Sequence, residues 1–107
     1  MTDEERRSEL MSVFAGCDEE TRKIIAPMIE EMVFLEERMR YLRTLPMIHV
    51  NPKRPEMQRY TPASKEYKEA SSSYMNGIRI LCGILNKTEP SAQDELLKRL
   101  EEFNLTT

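Results

Sequence analysis

IIAPMIEEMVFLEERMRYLRTLP, residues 24–46, decides the fold. Ile25, Met28, Met32, Leu35, Met39 and Leu42 recur at intervals of 3, 4, 3, 4 and 3. That rhythm lays one apolar stripe along an α-helix and, sustained, makes a coiled-coil-like seam. Ile24, Ile29 and Val33 widen the stripe. The spacing predicts a long helix over residues 18–44. Asp18 opens it as a capping residue, and Glu19 and Glu20 sit where a helix start is electropositive. Pro27 removes one rung of the hydrogen-bond ladder, so a kink or break is expected there. Pro46 disfavours helical geometry in the residue before it and closes the element.

A second helix follows from Thr61-Pro62, since threonine caps and proline at the first helical position loses no needed hydrogen bond. Tyr67, Ala70, Tyr74, Ile78, Leu81 and Leu85 then fall on one face, predicting a helix over 62–86. Two long amphipathic helices of similar length imply an antiparallel helical hairpin. Two short helices flank it in sequence. Residues 3–15 carry Leu10, Met11, Val13 and Phe14 and end at Gly16, which suits a positive-φ cap. Residues 91–103 carry Leu96, Leu97, Leu100 and Phe103, with Ser91 and Asp94 spaced as a capping box. The fold class expected is therefore all-α, one domain over residues 1–107, with the hairpin as its spine.

The connection 45–61 is unusually long for a helix–helix link, which commonly takes about 2–8 residues. It holds three of the chain's six prolines and its only histidine, and a fourth proline, Pro62, follows at once. Pro52 and Pro55 predict an extended path. Met47, Ile48 and Val50 predict that it packs on its own hairpin or on a neighbouring copy. From Arg38 to Tyr60 the chain has six basic residues (Arg38, Arg40, Arg43, Lys53, Arg54, Arg59) against Glu56 alone. This local excess of five sits within a net charge of −3 and leaves the remainder at −8. Arg38, Arg40 and Arg43 fall in the last turns of a helix, where cations offset its negative end. Lys53, Arg54 and Arg59 have no such explanation. With Tyr60 they could contact a phosphate backbone or an acidic protein, or simply keep the connection soluble.

Other chemistry is excluded by what the chain lacks. Cys17 and Cys82 stand far apart with one histidine between them, so neither a zinc site nor a disulfide framework is indicated. Glu30/Glu31, Glu36/Glu37 and Glu101/Glu102 are adjacent helical pairs pointing about 100° apart, which does not converge on a substrate. No glycine-rich phosphate loop is present. No catalytic residue, metal or cofactor is expected, and the protein is not expected to be an enzyme. Apolar runs are too short to cross a bilayer and the charged N-terminus lacks a secretory core, so the expected location is the cytoplasm.

At 12.6 kDa, with 33% charged residues, the chain is lean in core material. A two-helix hairpin alone leaves one side of its stripe open. Homo-oligomerisation through Ile25, Met28, Met32, Leu35, Met39 and Leu42 is the expected way to bury it, the alternative being a four-helix monomer whose stripe is its own core.

Three segments, FLEERMRYLRTLP, IHVNPKRPEMQRYTPASKEYKE and YMNGIRILCGIL, together resemble the short terminase small subunits of phages and prophages. The likeness spans roughly residues 30–86. It lies in a helix ending in Leu-Pro, an Asn-Pro-Lys-x-Pro segment, a Thr-Pro-Ala helix start with Lys-x-Tyr-Lys, and an Ile-Leu-Cys run. The resemblance implies a ring of helical protomers in a bacterial host. Such a ring binds viral double-stranded DNA and recruits or regulates the large terminase subunit during genome packaging. It implies no motor activity of its own. Members often carry an N-terminal helix-turn-helix, for which about seventeen residues ahead of the long helix are too few. DNA contact then falls to Lys53, Arg54 and Arg59, with His49 and Tyr60 as accessories. Leu97, Leu100 and Phe103 become the expected dock for the large subunit. The alternative is a phage-derived helical scaffold that binds protein and not DNA.

Overall fold

The computed structural model describes residues 2–106, with side chains to Phe103. Four helices carry most of the chain: α1 (Asp3–Ser12), α2 (Glu19–Leu42), α3 (Pro62–Thr88) and α4 (Gln93–Thr106). Between α2 and α3 stand two strands, β1 (Ile48–Asn51) and β2 (Arg54–Tyr60), paired antiparallel. A single 3-10 turn, Pro90–Ala92, leads into α4. The expected helical architecture is present, with a two-stranded sheet added to it.

Three helix starts are fixed by side chains. The Oγ1 of Thr2 accepts from the Glu5 amide (3.1 Å), and Asp18 Oδ1 accepts from the Thr21 amide (2.7 Å). These bonds from Thr21 hold the Asp18 carboxyl below the ordinary aspartate value. Thr61 does the same for α3, where its Oγ1 accepts from the Ser64 amide (3.2 Å). Ser91, expected to cap α4, lies inside the 3-10 turn that precedes it. The helix continues unbroken through Pro27. Lys23 and Pro27 are both exposed, so the carbonyl that loses its donor can be hydrated.

α1 ends three residues earlier than expected, at Ser12, on a right-handed cap at Val13. Gly16 has no positive φ. Its value is space: a Cβ there would run into the Glu89 carboxylate. Gly77 serves likewise, because a Cβ would meet the Met32 sulfur where α2 and α3 approach closely. The α2–α3 contacts pair Arg38 with Glu66, Glu36 with Tyr74 and Met32 with Gly77. Rising positions on α3 thus meet falling positions on α2.

The core is built from all four helices. Leu10, Phe14, Ile25, Ile29, Leu81, Leu85 and Leu96 are each fully enclosed, and Met32, Met39, Tyr74, Leu100 and Phe103 pack among them. Among the described residues one charged side chain is buried. Glu36, only 2% exposed, receives Arg6 in a two-pronged pairing (Nε 2.9 Å, Nη2 2.8 Å) and the Tyr74 hydroxyl (2.5 Å). Arg6 also donates to the Arg99 carbonyl (3.1 Å), and Arg99 donates to the Glu9 carbonyl and the Ser12 hydroxyl. This chain of bonds ties α1 to α2, α3 and α4. Burial opposes the Arg6 charge, but the Glu36 bond and charge outweigh it and raise its pKa above the ordinary value. Burial, followed by the neighbouring Glu36 charge, drives the Tyr74 hydroxyl well above the usual tyrosine range.

A candidate nucleic-acid interface on a projecting ribbon

Residues 45–61 were expected as an extended path lying on the helices. They instead form a β-hairpin that stands away from them. Its extents of 60 × 26 × 21 Å and radius of gyration of 17.1 Å make the molecule long for its size; a compact chain of this length measures about 13 Å. Every residue of β2 is exposed. The local chemistry explains the strands. Ile48 and Val50 are β-branched and alternate with His49, which suits extended backbone. The Asn51 Oδ1 accepts from the Lys53 amide (2.9 Å), closing the turn that Pro52 pre-sets. At the neck, the Thr61 hydroxyl donates to the Pro46 carbonyl (2.6 Å) and the Thr61 amide to the Met47 carbonyl (3.2 Å). Thr61 therefore pins the foot of the ribbon and starts α3 at once.

The register sorts the side chains. Ile48 opposes Tyr60, His49 opposes Arg59, Val50 opposes Gln58, and Asn51 opposes Arg54 across an irregularity after Val50. Opposed residues share a face, and faces alternate along a strand. Over the regular part of the pairing one face thus carries His49 and Arg59, and the other Ile48, Val50, Gln58 and Tyr60; Asn51 and Arg54 pair beyond the irregularity, next to the turn. Lys53 sits in the turn. Of the two expected placements, packing of Ile48 and Val50 on the chain's own helices does not occur: they are 46% and 44% exposed, while Met47 is partly covered.

Cations of the basic middle separate into two sets. Arg38 is paired with Glu66 (2.7 Å) and lies over the Tyr41 ring (6.0 Å). Arg40 lies over Phe103 (5.5 Å). Arg43 donates to the Tyr67 hydroxyl (2.9 Å) and lies over both Tyr67 and Phe103. These three serve the helical body. Among the described residues Lys53, Arg54 and Arg59 have no carboxylate partner.

The other sites singled out from sequence sit differently. Ile25, Met32, Leu35, Met39 and Leu42 are buried within one protomer and Met28 is half-buried. The expected assembly face is thus this chain's own core, filled by α1, α3 and α4. Leu100 and Phe103 are also buried, at 4% and 3%, while Leu97 is 43% exposed. The exposed apolar residues of α2 are Ile24, expected as part of the widened stripe, and Phe34 and Tyr41, which lie off the seam. The described residues contain no cluster able to hold a metal ion and no helix long and apolar enough to cross a membrane.

Compared with known proteins, the chain matches no family model, no curated protein and no solved structure.

Proposed function

We propose that this protein binds double-stranded DNA through the β-ribbon, as a packaging protein of the small-terminase type. In this reading α2 and α3 form an antiparallel hairpin with the ribbon at its turn. Several copies assemble into a ring and present their ribbons together, and the assembly recruits a large subunit. One observation supports DNA contact above all: Lys53, Arg54 and Arg59 stand on an exposed ribbon with no carboxylate partner among the described residues, while Arg38, Arg40 and Arg43, also exposed, are engaged by an acid and by aromatic rings of the helical body. A two-stranded ribbon has the width that the major groove admits. Cations at its tip and on its polar face suit phosphate contact, and His49 and Asn51 bring donors and acceptors to base edges. Repetition around a ring would multiply a contact that is weak in one copy. Since the seam of α2 is internal, assembly in this reading uses the outer face with Ile24, Phe34 and Tyr41. Leu97 is the accessible part of the α4 dock.

The test is fluorescence anisotropy on a short duplex across a salt series, comparing the wild type with Lys53→Ala/Arg54→Ala/Arg59→Ala. Three lost phosphate contacts should flatten the salt dependence of log K by roughly 2–3 and weaken binding at low salt. Equal binding by the variant would move the site off the ribbon. A monomer by light scattering would remove the ring.

A second reading, a scaffold that contacts protein and not DNA, is favoured by the exposed Phe34, Tyr41, Met75 and Leu97. Absence of duplex binding at low salt would select it.

A further inference from the structure

At the foot of the ribbon, between the end of α2 and the first turns of α3, lies an open basin of about 620 Å³. Arg43, Met47, Ser64, Tyr67, Lys68, Ser71 and Ser72 line it. Its chemistry is one-sided. Two cations and four hydroxyl groups face the space, and no carboxylate does. Apart from Met47 every lining side chain can donate a hydrogen bond. Ser64, Lys68, Ser71 and Ser72 follow one another at helical spacing along α3, so a single rigid element presents them. Arg43 is set in place from the other helix by its bond to the Tyr67 hydroxyl (2.9 Å) and by the Tyr67 and Phe103 rings beneath it. Lys68 is exposed and among the described residues has no ion-pair partner. The neighbouring groove, which shares Arg43, Tyr67 and Ser71, differs in kind: it is lined by Met75, Ile78, Leu97 and Leu100 and carries Glu101.

We propose that this basin is a phosphate-binding site, and that its ligand is the sugar–phosphate backbone of the duplex flanking the ribbon. The inference rests on the DNA-binding reading above and deepens it. Lysine, arginine, serine and tyrosine donors without a competing acid are the groups that hold phosphodiester oxygens and fix a protein's register on DNA. The basin's position supplies the second half of the argument. Met47 leads directly into β1, and Ser64 lies three residues past Thr61, the residue that pins the ribbon's neck. A duplex engaged by the ribbon must pass this foot. The first turn of α3 adds the partial positive charge of a helix start on the same side. The ribbon's polar face then reads or grips the groove, and the basin holds the strand beside it. Lys68 and the serines act as positioning contacts that carry no sequence information.

Salt-series anisotropy of the full chain tests this with Lys68→Ala and with Ser71→Ala/Ser72→Ala, run beside the ribbon triple variant. All these side chains are exposed or half-buried, and circular dichroism checks that the helices remain. Lys68→Ala should lower duplex affinity about fivefold whatever the duplex sequence and make the salt slope shallower by about 1. The serine pair should lower affinity by a smaller factor with little change in slope. If the ribbon variant loses binding and the basin variants do not, the basin proposal falls while the ribbon reading stands. If the wild type binds no duplex, both fall. An NMR titration with inorganic phosphate separates the two sources of the ligand. Saturable shifts at Ser64, Lys68 and Ser72, with duplex binding indifferent to Lys68→Ala, would overturn the DNA assignment in favour of a free-phosphate site.

Discussion

The helical body and the ribbon are built on opposite terms. In the body, side chains from all four helices enclose one another, and even the buried Glu36 carboxylate has both oxygens occupied by Arg6 and Tyr74. In the ribbon nearly every side chain faces water, and the strands rest on their own pairing and on Thr61 at the neck. A two-stranded ribbon alone is marginally stable in water. Its retention as an exposed, basic element therefore has no account in core packing. The difference teaches where to look for each effect. Changes in the core of the body should alter stability and leave a folded protein's binding alone. Changes in the ribbon should do the reverse.

The largest expected effect is in the body. Glu36→Ala leaves the largely buried Arg6 guanidinium only its longer pairing with Glu9 (3.4 Å) and the Arg99 carbonyl, and removal of one partner of such a buried pair costs about 3–5 kcal/mol. Urea denaturation would measure it, and a loss below about 1 kcal/mol would mean that water reaches Arg6 freely. Next comes an alkaline limit. Tyr74 has a folded-state pKa raised above its unfolded value of about 10. Its contribution is fully present below that pH and is lost as pH climbs above it. Thermal melts should therefore fall from about pH 10 upward, and a Tyr74→Phe variant should start less stable and lose less over that range.

A smaller pair of changes compares two glycines within α3. Nothing lies within 4 Å of a Cβ built at Gly83, so Gly83→Ala should stabilise by about 0.5–1 kcal/mol through helix propensity. Gly77→Ala gains the same propensity but must displace the buried Met32 sulfur, and should come out less stable than Gly83→Ala. If the two melt alike, the α2–α3 contact at Gly77 is looser than the structure has it. The smallest effect on stability belongs to the ribbon. The triple variant Lys53→Ala/Arg54→Ala/Arg59→Ala should change unfolding free energy by no more than about 0.5 kcal/mol while changing DNA binding most. A large loss of stability there would dissolve the contrast between the two regions.

Most of the helical body was readable from residue spacing. The 3-and-4 rhythm of Ile25 to Leu42 placed α2, and the face running from Tyr67 to Leu85 placed α3. Its most central members, Ala70, Tyr74, Leu81 and Leu85, are buried, while Tyr67 and Ile78 at the edges are partly so. Asp18 and Thr61 cap as their types require, because each offers an oxygen to an amide that the helix leaves unpaired. The ribbon was half readable. Its prolines signalled a non-helical path, but pairing of Ile48 with Tyr60 depends on two stretches twelve residues apart meeting at one neck, which no local pattern specifies. The basin escaped altogether. Ser64, Lys68, Ser71 and Ser72 read as an ordinary polar helix face until Arg43 and Met47 arrive from the other side.

The sequence by itself determined where helices begin and run and which of their faces are apolar, since caps and periodicity are local properties of the chain. It also determined that positive charge gathers around residues 38–60. Only the tertiary structure decided that the α2 seam is closed by this chain's own helices, because α1 and α4 fold back onto it. It alone divided the cations into Arg38, Arg40 and Arg43, held by rings and an acid, and Lys53, Arg54 and Arg59, left to the solvent. That division follows from which side chains the packing brings within a few ångströms of one another, and the order of residues along a chain does not contain it.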